Sequence, residues 1–264
     1  MKKILLLLVL IPAFYACSGP DKKGTANAPS DSASVKDSGI SRQDTTLAQI
    51  PDEYDIDPPF GLDKIKKLVA GLKKVDDTSG GDGSTEALDD KTYASLSLDE
   101  KFTYHMINLE SYTQMCDILP LRTDEDHRIY GKLPDLTGEN QWSDRQTQFL
   151  KDNRDSVMAL MKPLIVKNGR VGDNFKEAIM EINGKEMIPS LIAAYNVKKR
   201  DHYILTMLMM LMKDNNYPEF MRSSSCKKLY DVMDEYSAFL TYNQANEDLI
   251  IKRATNFYNG FSAK

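Results

Sequence analysis

Cysteine and histidine are scarce, three of each in 264 residues. Three cysteines cannot build the disulfide framework of a small secreted scaffold, and three histidines limit any histidine-based metal site. A surplus of positive charge is missing too: 34 basic side chains face 39 acidic ones, for a net charge of −5. A nucleic-acid binder held by phosphate contacts is therefore not expected. No apolar run reaches the roughly 20 residues that a membrane-spanning helix needs. Nucleophile elbow, phosphate loop, metal-binding helix and dinucleotide fingerprint are all lacking, so motifs name no catalytic residue, no cofactor and no metal. That lack does not exclude an enzyme.

What is present starts at the amino terminus. Lys2 and Lys3 precede an almost wholly apolar run of 13 residues, Ile4 to Ala16, the charged and hydrophobic parts of a secretory signal. The run ends Phe14-Tyr15-Ala16-Cys17-Ser18-Gly19, which resembles the lipobox of bacterial lipoproteins. The resemblance covers the first twenty or so residues. It implies that residues 1–16 are a signal peptide and that the Cys17 thiol receives a diacylglyceryl group, with the new amino terminus acylated. Each buried methylene contributes about 0.8 kcal/mol, so several acyl chains hold where one only visits. Ser18 in place of aspartate implies, by the enteric lipoprotein rule, sorting to the outer membrane, with the periplasmic or surface face left open. The rival is an ordinary secreted protein with a cysteine near its cleavage site.

Residues 17–60 read as a lipidated, disordered tether, because Ser, Thr, Asp, Lys, Gly, Asn and Pro cannot bury enough surface to offset ordering entropy. A coil of this kind holds a domain on the order of 30 Å from the bilayer. In 61–76, Leu62, Ile65, Leu68, Val69, Leu72 and Val75 recur at helical spacing among lysines, giving a short basic amphipathic helix. It either lies on an anionic membrane surface or docks its apolar stripe on the main domain, and docking is the preferred reading. Residues 77–96 read as an acidic Gly/Ser linker.

Residues 97–264 form the helical domain. Ser97 and Glu100 make a capping box, and Leu98, Phe102, His105, Leu109, Tyr112, Cys116 and Leu119 predict one helix up to Pro120. His105 and Cys116 share its face, but eleven residues of rise separate them by about 16 Å, too far for a nucleophile–base pair. Ser143 and Gln146 open a second helix running toward Lys167, with Pro163 expected to kink it. Further helical spacing covers 175–182, 186–195, 202–212, 226–242 and 248–258, so the expected fold is all-α. The run Tyr203 to Met212 is apolar on all sides and predicts a central buried helix. Twelve of the 13 methionines lie in 101–264, suited to filling irregular core gaps or, when exposed, to meeting varied partners.

The stretch Ala178 to Tyr195, an alanine-bearing helix, the turn Asn183-Gly184 and the opening Ile188-Pro189-Ser190-Leu191-Ile192, resembles the junction between HEAT-type repeats. The resemblance covers about 40 residues. It implies helical hairpins stacked as a short HEAT-like solenoid, with a compact helical bundle as the alternative.

Between the first two domain helices, 121–142 reads as a loop. Asp124, Glu125, Asp126 and His127 are too close in sequence to converge easily on one ion, so a solvated turn is expected and no metal site. Loops of this length inside a compact domain are often functional, which makes Asp124, Asp126, His127 and Trp142 a candidate binding loop. Cys116 and Cys226 form a candidate disulfide or two separately buried thiols. The expected function is a lipid-anchored envelope protein whose helical domain meets a protein or envelope partner, with no nucleic acid and no cofactor. Two alternatives stand beside it: an envelope hydrolase using Asp124, Asp126 or Glu139, and an apolar-ligand binder between the Met-rich helices.

Overall fold

The computed structural model describes residues 55–72, 75–76, 84–85, 87–113, 119–120 and 122–263. The expected signal peptide, Cys17, the expected tether up to residue 54, Cys116 and part of the expected 77–96 linker lie outside the described residues.

Gly61, at a φ of +66°, makes the left-handed entry to α1 (Leu62–Ala70), a conformation glycine adopts without cost from a Cβ. The apolar stripe of α1 packs on the domain: Ile65 is fully buried with Leu88, Leu96 and Tyr104, and Leu68, Val69 and Leu72 sit at the margin. Its lysines stay outside, Lys64 paired with Glu100 and Lys66 with Asp57. β1 (Val75–Asp76) and β2 (Ser84–Thr85) pair antiparallel, and α2 (Asp90–Ala94) follows, capped by the Asp89 carboxylate, which accepts from the Thr92 N–H. Ile56, Leu88 and Leu96 are buried, so the end of the expected 17–60 tether and the supposed linker both supply core residues, and the compact unit takes in residues 55–60, α1 and α2 rather than starting at residue 97.

α3 (Leu98–Ile107) opens with the expected capping box but ends well short of Pro120. Its apolar spacing continues, yet tertiary contacts take the chain elsewhere. Asn108 turns extended, the Glu110 N–H donates to Gln146 Oε1, and β3 (Ser111–Tyr112) leads away from the helix axis. The Glu110 carboxylate, 3% exposed, accepts from Tyr104, Ser143 and Arg145. Burial opposes its charge, but these donors outweigh burial and hold the carboxyl below the usual range. Breaking so buried a pair leaves an uncompensated charge, so the chain follows the pair.

The 121–142 segment is more ordered than a loop. A single 3-10 turn at Glu125–His127 leads into β4 (Arg128–Tyr130), and β5 (Asn140–Gln141) pairs with β3. The Arg122 guanidinium lies between the Tyr130 and Tyr236 rings, 4.3 and 4.2 Å from their centroids, and donates to the carbonyls of Lys132, Leu133 and Tyr236. The next helix is two: α4 (Asp144–Asp152), with its capping box, and α5 (Arg154–Asn168). The interruption falls at Asn153, and Pro163 is accommodated within α5. Arg154 is drawn aside to the carbonyls of Ile182 and Asn183 and to the Glu186 carboxylate.

α6 (Asp173–Glu181), α7 (Ile188–Lys198) and α8 (His202–Asp214) follow, then α9 (Pro218–Met221) and α10 (Ser224–Tyr230). The helix expected to run from 226 to 242 stops at Tyr230. Asp234 Oδ1 accepts from the N–H groups of Tyr236 and Ser237, a turn that sets up β6 (Phe239–Thr241), and β6 pairs antiparallel with β4. Aromatic and β-branched residues favour that extended state. α11 (Gln244–Ser262) returns to pack on α7 and α8.

The fold is mostly helical, with eleven helices and three two-stranded sheets among the described residues. α8 is the central helix that its sequence predicts: Leu205, Met207, Leu208, Met209, Leu211 and Met212 are each fully buried. Each such side chain contributes about 1.5–3 kcal/mol. Met158, Met161 and Met187 fill the same core. Cys226 is a buried free thiol, raised above its ordinary pKa by burial. Among the described residues no helix is long and apolar enough to cross a membrane.

Candidate functional site

α6 feeds two clefts. Asp173 and Lys176, three residues apart on one face, line the first; Asn174 and Glu177, on the neighbouring face, line the second.

The first cleft, about 750 Å³, lies where the ends of α5 and α7 and the start of α8 meet the 125–130 strand and turn. Six cationic side chains line it, Arg128, Arg170, Lys176, Lys198, Lys199 and Arg200, against four acidic ones, Glu125, Asp126, Asp173 and Asp201. Its sign is thus opposite to that of the chain as a whole. Lys176 is 3% exposed and sits between Asp173 at 2.8 Å and Asp201 at 2.9 Å. Burial opposes its charge, but Asp201 and Asp173 outweigh burial and hold the ammonium above the ordinary lysine range. Asp201 stands at the N-cap of α8 yet makes no cap, because its carboxylate is turned to Lys176.

His202 opens α8 and is 9% exposed. A carbonyl can only accept, so the Nδ1–H donates to the Glu125 oxygen at 3.0 Å, and in the neutral ring Nε2 carries the lone pair. Nε2 has no hydrogen-bond partner among the described residues. The ring stacks on Tyr242, whose hydroxyl donates to Glu247 at 2.8 Å. Glu247 is fully buried on α11 and also accepts from Tyr195 and from Lys199. Burial opposes its ionisation, but the hydrogen bonds from Lys199, Tyr242, Tyr195 and Gln244 outweigh it and hold the carboxyl below the usual range. Three helices thereby fix the wall of this cleft.

The second cleft, about 660 Å³, is lined by Asp55, Lys66, Thr137, Trp142, Asn174 and Glu177 among others. The Trp142 Nε1–H donates to the His105 carbonyl at 2.9 Å. Burial, then the carboxylates of Asp135, Asp173 and Glu181, push Glu177 up to about 7. Its carboxyl has no hydrogen bond or ion pair among the described residues. Asn174 bonds both the N–H and the carbonyl of Ile56, pinning the 55–57 segment across the cleft.

The candidate binding loop is therefore divided. Asp126 reaches the first cleft and Trp142 the second. Asp124 pairs with Arg128 at 3.2 Å, and His127 is exposed on the 3-10 turn. Glu139 accepts from the Tyr112 hydroxyl. Among the described residues no group of histidine, cysteine and carboxylate side chains is arranged to hold a metal ion. Periodicity passes over His202, Lys176, Glu247 and Glu177, since each fits a helical pattern. The one signal in the sequence is the break Lys198-Lys199-Arg200-Asp201-His202, which concentrates charge where two helices meet.

Comparison with protein-family models, with curated proteins and with solved structures finds no match.

Proposed function

We propose that the chain is a lipid-anchored protein of the bacterial cell envelope, held through Cys17 on the segment that precedes residue 55, whose helical domain serves as a binding module. The observation that carries the reading is a leader ending Ala16-Cys17 on the same chain as a folded domain with an open, charged cleft. Ala178 to Tyr195 does run helix–turn–helix, but α6 packs chiefly on α4 and α8 and α7 on α5, α8 and α11, which favours the compact helical bundle over a HEAT-like solenoid. Outer-membrane sorting follows from Ser18 in the same reading. The partner is a protein or an envelope component.

The geometry favours binding over the hydrolase alternative. Asp124 and Glu139 are each engaged by a neighbour, and of the three only Asp126 lines the first cleft, so no pair of these carboxylates faces one ligand there. An apolar ligand between the Met-rich helices is less favoured, because those methionines pack the core while both described clefts carry charge.

Mass spectrometry of the protein from bacterial membranes tests the anchor. The mature chain is expected to begin at Cys17 with the added mass of acyl chains, and Cys17→Ser is expected to accumulate with its leader uncut. A mature amino terminus at another residue, free of lipid, overturns the reading. In-cell cross-linking of the anchored chain, with Cys17→Ser as control, then tests for the partner.

A further inference from the structure

We infer that the first cleft is an oxyanion site that takes a phosphate group, free in solution or on a lipid headgroup, at the opening turn of α8. The inference rests on the binding-module reading and names its ligand class.

Four observations converge on that turn. The first is a helix start without a cap: Asp201 is spent on Lys176, and the Tyr203 N–H has no partner among the described residues. α8 runs for 13 residues, and although the His202 and Ile204 N–H groups donate to the carbonyls of Arg200 and Asp201, the Tyr203 N–H and the helix dipole favour an anion there. The second is His202, nine-tenths buried on the cleft wall with Nε2 unpartnered. It accepts from a protonated phosphate oxygen as the neutral ring and donates to a bare one as the cation. The third is free positive charge. Lys198 and Arg200 line the cleft, are exposed, and have no ion pair among the described residues.

The fourth is the engagement of the neighbouring charges. Lys176 neutralises Asp173 and Asp201 in part, which lowers the repulsion an anion meets at the floor. Lys199 is held by Glu247, with the α7 end kept in place at a φ of +52°. A tetrahedral oxyanion presents several acceptors in different directions, and the donors here converge from a helix end, an imidazole and two long cationic side chains. A planar apolar ligand would leave all of them unanswered.

The test uses the full mature protein in neutral detergent micelles, titrated by calorimetry with inorganic pyrophosphate and with short-chain phosphatidic acid. Saturable binding of either probe is expected, and the preferred probe identifies the source of the phosphate. Lys198→Ala/Arg200→Ala is expected to weaken binding about tenfold or more, and His202→Phe, which keeps a ring against Tyr242, to weaken it separately. Lys227→Ala/Lys228→Ala removes the same charge on α10 and is expected to change affinity less than about twofold. Binding of neither probe overturns the inference, as does an equal loss in both double variants. Because the micelle experiment reads the cleft alone, its failure leaves the anchor standing, and a missing anchor leaves the cleft result standing.

Discussion

The imidazole of His202 lies on the phenol ring of Tyr242, centroids 3.9 Å apart and planes 29° from parallel, while the Tyr242 hydroxyl reaches Glu247. One stacked pair thus joins the start of α8 to the buried carboxylate of α11. Lys199 and Tyr195 bring α7 to the same carboxylate. The cleft wall and the core behind it are one hydrogen-bonded unit, so changes at Glu247 are felt at both.

Glu247→Ala is expected to destabilise the domain by about 3 kcal/mol, because the hydroxyls of Tyr195 and Tyr242 lose a buried acceptor and Lys199 its partner. The folded Glu247 carboxyl titrates below its unfolded value of about 4.3. Its stabilisation is therefore present above that pH and lost as pH falls through the folded value. Urea unfolding between pH 3 and 7 is expected to show this acid loss in wild type and a flatter profile in Glu247→Gln.

Glu177 has the opposite sign. Its folded value is raised to about 7, so the protonated carboxyl favours the fold, and stability falls as pH rises from the unfolded value toward 7. Glu177→Gln is expected to remove that slope and to gain about 2 kcal/mol over wild type at pH 8. Unfolding midpoints at pH 4, 6 and 8 check it; parallel profiles for the two proteins would count against the raised value.

Met233 and Leu208 both sit in strings of helical spacing, yet Met233 is fully exposed and Leu208 fully buried. Leu208→Ala is expected to cost about 2–5 kcal/mol through the cavity it leaves. Met233→Ala is expected to stay within about 0.5 kcal/mol of wild type. Denaturant midpoints for the two variants test whether the chain leaves the core after α10 ends at Tyr230 while α8 stays within it.

Ile65→Ala is expected to destabilise the domain by about 2–4 kcal/mol, since α1 is docked with Leu88, Leu96 and Tyr104. A variant as stable as wild type that instead loses affinity for anionic vesicles would return α1 to the membrane surface.

Gly172→Ala is expected to loosen the 55–57 segment. A Cβ there would stand 2.8 Å from the Ile56 nitrogen and 2.7 Å from the Asn174 Oδ1 that holds it. Faster amide exchange at Ile56, with a loss of about 1–3 kcal/mol, is the readout.

The mostly helical class, both capping boxes and the central place of α8 were legible in the sequence, because each depends on neighbours within one or two turns. Ser97 with Glu100 and Ser143 with Gln146 close within three residues, and an all-apolar run such as 203–212 has nowhere to go but inside. Helix ends were not legible where a partner distant in the chain decides them. Apolar spacing past Ile107 and past Tyr230 continues to suit a helix, and only the grip of Arg145 on Glu110 and the pairing of β6 with β4 break it.

The clefts belong wholly to the second kind. The sequence could place Asp126 and Trp142 in one segment, but only the packed chain sends them to different cavities and sets His202 beside Tyr242, forty residues away. Local hydrogen bonds and apolar periodicity select helices one at a time, while the direction in which a side chain meets a remote partner depends on how those helices pack. The chain by itself determined where most of its helices begin; the tertiary structure decided where several of them end and which charges face each other.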